Sequence, residues 1–195
     1  SQYSSNDSLS IVLAMLLHQS SRNDEALALC DRLIKKDPDN IRPLIIKGRI
    51  FKNMGRNEEA ERMLAQSVKR YPDKNQLRLL YGRILIQMDK LDLAEEQFEA
   101  LFQQSPADVE VLLSLGLIAV ERGKVDEAKG YFEALLSFNL RPNVANFYLG
   151  KINETKSNWQ KARQYYAAVT PGKEFMLAQI AMAQMLIKQG HWTEA

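Results

Sequence analysis

The sequence predicts an all-α fold made of repeated antiparallel helix pairs. Three observations carry this prediction: alanines recur every 34 residues, glycines recur with the same spacing, and prolines follow three of the alanines by twelve residues. A fixed period of about 20 to 50 residues marks a repeat architecture, because one such unit cannot bury its apolar face alone. Stacked neighbours must therefore supply the core.

The small residues and prolines have separate structural reasons. Small residues are expected where two helix axes approach closely, because a larger side chain would push the helices apart. A proline ends the second helix of a pair, because it lacks the amide hydrogen and disfavours a helical conformation at the preceding residue. The three series are Ala26, Ala60, Ala94, Ala128, Ala162 and Ala195; Gly48, Gly82, Gly116 and Gly150; and Pro38, Pro72 and Pro106.

Each unit is predicted to be a helix, a short polar turn and a second helix. In the second unit Leu44 and Phe51 lie on the first helix, Gly55 in the turn, and Leu64 and Val68 on the second helix. The units are predicted as one array over residues 1–195, with repeats at 7–40, 41–74, 75–108, 109–142 and 143–175 and a partial repeat at 176–195.

This unit of 34 residues, with its small residue, alanine and closing proline, resembles the tetratricopeptide repeat (TPR). The resemblance covers nearly the whole chain. It implies a right-handed superhelical solenoid of about five and a half repeats. It also implies a non-catalytic scaffold or adaptor that binds a protein or peptide in a concave groove lined by the first helices.

Two departures from the repeat have consequences. Pro171 follows its alanine by nine residues rather than twelve, so the second helix of the fifth unit is expected to end almost a turn early. The sixth unit stops at Ala195, where its second helix should begin, which leaves Ile180 and Ile187 without a partner helix. Arrays need terminal units with a polar outer face. We therefore expect a fragment of a longer array, or self-association through this end.

Composition and charge exclude several classes of protein. The 26 Lys and Arg residues balance 24 Asp and Glu residues and alternate with them, so no basic stripe for nucleic acid is present. The longest apolar run, residues 11–17, is seven residues long, whereas a membrane span needs roughly 20. No nucleic-acid partner and no membrane span are predicted.

No catalytic signature is present, and the chain is predicted not to be an enzyme and to need no cofactor or metal. The HExxH, GxSxG, GxGxxG and GxxxxGK[ST] motifs are absent, and His18 and His191 lie near opposite ends of the chain. Cys30, the single cysteine, falls on an apolar stripe, where a buried, inert thiol is expected. His18 lacks a second ligand at metal spacing and is expected to be hydrated or packed.

The candidate site is the stripe of each first helix that faces the groove. Steps of 3, 4 and 3 residues along these helices select a basic patch beside an apolar shelf, which suits a peptide with a carboxylate and an apolar side chain. The alternative is that Arg49 and Arg83 pair with nearby acids or face water. The predicted partner-binding residues are Arg42, Ile45, Arg49, Lys52, Leu79, Arg83, Leu113, Leu117, Phe147, Tyr148 and Lys151.

A finer resemblance concerns the last third of the chain. The stretch from Phe147 through Trp159 and Tyr166 to Ile180 is similar to a group of bacterial TPR proteins, some of them outer-membrane lipoproteins. It implies a periplasmic adaptor that binds a carboxyl-terminal processing protease and brings it substrates. The Lys and Asn clamp of TPR modules that hold chaperone tails is absent. Two other hypotheses are the recognition arm of a larger enzyme, such as a glycosyltransferase, and a self-associating structural array.

Overall fold

The computed structural model describes residues 2–190, and the side chains of residues 7–190. His191 and Ala195 lie outside the described residues. Within the described range the chain is helical throughout, and its helices follow in pairs, which confirms the predicted all-α fold. The helices are α1 Gln2–Gln19, α2 Asn23–Lys36, α3 Ile41–Asn53, α4 Asn57–Arg70, α5 Asn75–Gln87, α6 Leu91–Phe102, α7 Val109–Glu121, α8 Val125–Ser137, α9 Pro142–Thr155, α10 Trp159–Ala167 and α11 Phe175–Lys188.

The helices form two compact units, one up to Leu101 and one from Phe102 onward. In the first unit each of α1 to α4 packs on the next helix, and α3 also contacts α1 and α5. In the second unit each of α7 to α10 packs on the next, and α9 also contacts α11. Contacts that run only to sequence neighbours are typical of repeat proteins.

The turn inside each helix pair holds one residue in the left-handed conformation, always at the same place in the repeat. The amide after it donates to a carbonyl five residues back, as from Arg56 N to Phe51 O at 2.8 Å, which satisfies the end of the first helix. Glycine adopts this conformation freely, whereas serine and aspartate adopt it against the cost of their Cβ. The residues are Ser21, Gly55, Asp89, Gly123, Ser157 and Gly190, with φ between 57° and 80°.

The glycine series lies where neighbouring helices touch, as the sequence predicts. A Cβ built at Gly82 would lie 2.8 Å from the Phe98 ring, and one at Gly150 would lie 2.5 Å from the Tyr166 ring. At Gly48 the closest atom, at 2.9 Å, belongs to Leu80 of the next first helix. The five alanines of the series that the structure describes are fully buried.

Helix α10 is short, as the position of Pro171 predicts. It has 9 residues, whereas the preceding second helices have 12 to 14. Asn143 on α9 holds the chain that follows: its Nδ2 donates to the Thr170 carbonyl at 2.9 Å and its Oδ1 accepts from the Thr170 amide at 3.0 Å. The early end of the fifth unit is therefore confirmed.

Helices α1 and α11 both expose apolar side chains. On α11, Ile180 is 48% and Ile187 41% exposed, so both are accessible, as the self-association hypothesis requires. On α1 the exposed set is Leu9, Val12, Leu13, Met15 and Leu16. None of the helices in residues 2–190 combines the length and apolarity needed to cross a bilayer.

Candidate peptide-binding site

An open cavity of about 300 Å³ lies on the first-helix face of the first unit. Its walls come from α1, α3 and α5, the first helices of three successive repeats, and we call it the α1–α3–α5 cavity. Three predicted site residues, Arg42, Ile45 and Arg49, meet there because steps of three and four residues share one face of a helix. The lining residues are Ile11, Met15, Arg42, Ile45, Ile46, Arg49 and Gln76.

The cavity joins unpaired positive charge to an apolar floor. The guanidinium groups of Arg42 and Arg49 are exposed, and neither forms a hydrogen bond or ion pair with a residue that the structure describes. Ile11 and Ile45 beside them are buried to 9% exposure. Guanidinium groups bind carboxylates through charge-assisted hydrogen bonds. The arrangement can therefore bind a carboxylate next to an apolar side chain.

Four of the lining residues were not among the predicted site residues, and the repeat itself contains the signal for three of them. Ile11 is equivalent to Ile45, Met15 to Arg49, and Gln76 to Arg42, each one 34-residue period away. The cavity is thus built from equivalent positions of adjacent repeats. The sequence places Ile11, Met15 and Gln76 on the stripe facing the groove, but a selection for charge and for the apolar shelf passed over them.

The other predicted residues of the first unit lie outside the lining of this cavity. Lys52, Leu79 and Arg83 are half-buried. Arg83 interacts with other residues of the chain, which favours the alternative that this arginine pairs internally. The role of these three residues in partner binding stays a prediction.

In the second unit the predicted residues take part in packing. Leu113, Leu117 and Tyr148 are half-buried against the core around Phe132. The Tyr148 ring stacks on Phe132 with centroids 4.8 Å apart, and burial raises the pKa of the Tyr148 hydroxyl.

Phe147 and Lys151 lie on the same helix as Tyr148. The Phe147 ring is 5.3 Å from that of Tyr148, and Lys151 Nζ is 5.7 Å from the centre of the Phe147 ring. Packing is thus sufficient to account for these aromatic side chains. Their part in a groove stays a prediction.

His18 ties three helix ends together. Its Nδ1 lies 2.7 Å from Asn23 Oδ1, and its Nε2 lies 2.8 Å from Asn53 Nδ2. Both ring nitrogens are satisfied when Nδ1 carries the proton, because Nδ1 then donates and Nε2 accepts. This is the packing role expected of a histidine without a second ligand. Across residues 2–190, no three His, Cys, Asp or Glu side chains are grouped so that they could hold a metal ion.

Cys30 is fully buried, and burial, followed by the charge of Asp31, raises the pKa of its thiol from 9.0 to about 11. We expect its reaction with Ellman's reagent at mildly alkaline pH to be at least about 100-fold slower in the folded than in the urea-unfolded chain, because two pKa units lower the thiolate fraction that much. Because the folded pKa is the higher one, the thiol's contribution to stability is complete below pH 9 and is lost as the pH rises towards 11. Equal labelling rates in the two states would contradict this assignment.

The 34-residue helix pairs, their left-handed turns and the close glycine contacts define a tetratricopeptide-repeat protein. Residues 14–144, well over half of the chain, match the family described as the cytochrome c-type biogenesis protein H TPR domain, and the chain belongs to this family. TPR families are in general non-catalytic scaffolds for protein or peptide partners. No curated protein matches the chain closely enough to count as a relative.

Solved structures with the same fold are distant in sequence. PilF of Pseudomonas aeruginosa is 18% identical, with a TM-score of 0.78 over 100% of this chain and 90% of that one. YrrB, described as a TPR protein with an unusual peptide-binding site, is 22% identical, with a TM-score of 0.72 over 88% and 89%. MamA of Desulfovibrio magneticus RS-1 is 19% identical, with a TM-score of 0.72 over 84% and 92%. At these identities the likeness concerns the fold alone.

Proposed function

We propose that this chain is a non-catalytic scaffold that binds a peptide segment of a protein partner in the α1–α3–α5 cavity. One observation carries the proposal: Arg42 and Arg49 present two guanidinium groups, unpaired within the described residues, above the apolar side chains of Ile11 and Ile45. The ligand that fits is a carboxylate with an apolar neighbour. A peptide supplies both at a carboxyl terminus that ends in an aliphatic residue.

The family supports a biological context for this binding. Its description names c-type cytochrome biogenesis. We therefore propose that the partner takes part in the assembly of c-type cytochromes. The peptide-binding site that the description of YrrB names supports the choice of a peptide as the kind of ligand.

Reversal of both charges in the cavity is expected to weaken this binding strongly. The probe is a fluorescein-labelled hexapeptide that ends in a leucine carboxylate, compared with the same peptide as its carboxyl-terminal amide. In fluorescence anisotropy at low salt, the carboxylate form should bind more tightly. Arg42→Glu with Arg49→Glu should reduce that affinity about 10- to 100-fold, since hydrogen bonds to charged groups contribute about 1.5 to 3 kcal/mol.

Arg32→Glu is the matched control for this experiment. Arg32 is exposed on α2 of the same unit and lies outside the lining of the cavity. It should change the affinity by less than about twofold, because an exposed charge away from the site contributes little. Circular dichroism should show unchanged helicity in all variants. Equal affinity for the carboxylate and amide peptides, or an equal loss with Arg32→Glu, would rule the cavity out as the binding site.

An adaptor role between a carboxyl-terminal processing protease and its substrates, in a bacterial periplasm, is a narrower proposal within this function. It rests on the resemblance of residues 147–180. The direct test is calorimetric titration of this chain with a purified processing protease. Micromolar binding that depends on Arg42 and Arg49 would support the proposal, and absence of heat at all protease concentrations would eliminate it.

A further inference from the structure

A second cavity, of about 470 Å³, lies in the second unit between α8, α9 and α10. It shares no lining residue with the α1–α3–α5 cavity. Its size falls in the range of about 300 to 1,000 Å³ that is typical of ligand pockets. We call it the α8–α9–α10 cavity. The inference below does not depend on the proposed function of the first unit.

Two asparagines on α9 form the buried wall of this cavity. Asn146 and Asn153 are seven residues apart, hence on one face of the helix, and they are 9% and 5% exposed. At the position of Asn153 the three preceding repeats carry the buried apolar residues Phe51, Leu85 and Ala119. Helix packing in this repeat therefore does not require an amide there.

The hydrogen-bonding capacity of both amides is largely unused. Asn153 Nδ2 donates to the Leu149 carbonyl at 2.8 Å, and its Oδ1 accepts no hydrogen bond from any described residue. The Asn146 side chain makes no hydrogen bond within residues 7–190. A buried amide without partners is unfavourable, because it has lost most of its water without replacement. Both groups are thus available to a ligand that carries a donor and an acceptor.

One positive charge at the cavity also lacks an internal partner. Lys129 pairs with Glu133, and Lys156 pairs with Asp126. Lys161 lines the cavity, is exposed, and forms no ion pair with the described residues. A single unpaired ammonium group matches one carboxylate rather than a doubly charged phosphate. The cavity therefore combines amide-directed hydrogen bonding with a site for one negative charge.

We propose that the α8–α9–α10 cavity is a second binding site, which takes an acidic peptide segment. In this arrangement the Asn146 amide pairs with a backbone peptide group, whose N–H and C=O match its Oδ1 and Nδ2. Asn153 Oδ1 accepts from a neighbouring N–H. The ammonium group of Lys161 binds the carboxylate of a Glu or Asp side chain.

The test uses the full chain, labelled with nitrogen-15, and two capped tripeptides. Acetyl-Gly-Glu-Gly-amide is the probe, and acetyl-Gly-Gln-Gly-amide is its uncharged isostere. We expect the Glu peptide to shift the side-chain amide signals of Asn146 and Asn153 saturably, with a dissociation constant at least fivefold lower than that of the Gln peptide. Lys161→Gln should abolish this difference and leave the affinity for the Gln peptide unchanged.

Substitution of Asn146 separates a binding role from a structural one. Asn146→Leu, which is nearly isosteric, should abolish the saturable shifts at Asn153 and raise the thermal midpoint by about 2 °C, because it removes an unsatisfied buried amide. Asn146→Ala is a second variant that adds no bulk and should also abolish binding. The double variant Arg42→Glu, Arg49→Glu should bind both tripeptides here like the wild type, so that failure of this site and failure of the proposed function can be told apart.

Several outcomes would overturn the second site. These are the absence of saturable shifts at both asparagines, equal dissociation constants for the two peptides, or unchanged binding in both Asn146 variants. Inorganic phosphate is a further probe. If phosphate saturated the same signals at lower concentration than the Glu peptide, the cavity would be a general anion site, and the peptide proposal would be wrong.

Discussion

Ala94→Asp is expected to destabilise the chain by about 3 to 5 kcal/mol, the cost of an uncompensated buried charge. Ala94 on α6 is completely buried and belongs to the alanine series that recurs every 34 residues. A carboxylate at this position would lose its water and gain no cation in exchange. Urea unfolding followed by far-UV circular dichroism measures the loss.

The neighbouring residue provides the matched control. Leu93 is 41% exposed and lies in the first turn of α6, where a negative charge interacts favourably with the helix dipole. Leu93→Asp should therefore cost less than about 1 kcal/mol. Burial raises the pKa of the new carboxyl in the folded Ala94→Asp variant, so its stability deficit should shrink as the pH falls. An unchanged unfolding midpoint at neutral pH would show that the repeat register is wrong.

Gly150→Ala is expected to cost about 1 to 3 kcal/mol, although alanine is the better helix former. The added Cβ would lie 2.5 Å from two ring carbons of Tyr166, which is fully buried. The ring has little freedom to move away, because its hydroxyl lies 3.0 Å from Glu154 Oε2 and donates a hydrogen bond to it. Overpacking therefore outweighs the gain in helix propensity.

Gly130→Ala makes the same chemical change without the contact. Gly130 is exposed on α8, and a Cβ there would meet no atom within 4 Å. The substitution should stabilise the chain by about 0.5 to 1 kcal/mol, since the helix gains and nothing is compressed. The two variants should thus shift the urea midpoint in opposite directions. A shift in the same direction would mean that helix propensity, not the close contact with Tyr166, dominates at Gly150.

The period of the sequence predicted the helices closely. Helices α3, α5 and α7 begin at residues 41, 75 and 109, where the second, third and fourth units were predicted to start. Such boundaries depend on local chemistry, namely the proline after each second helix and the turn inside each pair. The predicted turns at Gly55 and Gly123 are present, and Ser21 and Asp89 adopt the same conformation without a glycine to mark them.

The candidate site was predicted only in part. Helical spacing placed Arg42, Ile45 and Arg49 on one face, and the structure brings them into one cavity. The same rule selected Lys52 and Arg83, which lie outside it. Spacing gives the direction of a side chain from its own helix axis. It does not say how closely the next helix packs or whether an internal partner occupies a charge.

The sequence by itself determined the repeat, the pairing of helices and the positions where only a small side chain fits, because these features are local or strictly periodic. The tertiary structure alone decided that Ile11, Arg42 and Gln76 line one cavity. It also decided that Asn146 and Asn153 face an opening between α8 and α10. Both cavities depend on distances between side chains of different repeats, and helix packing sets those distances.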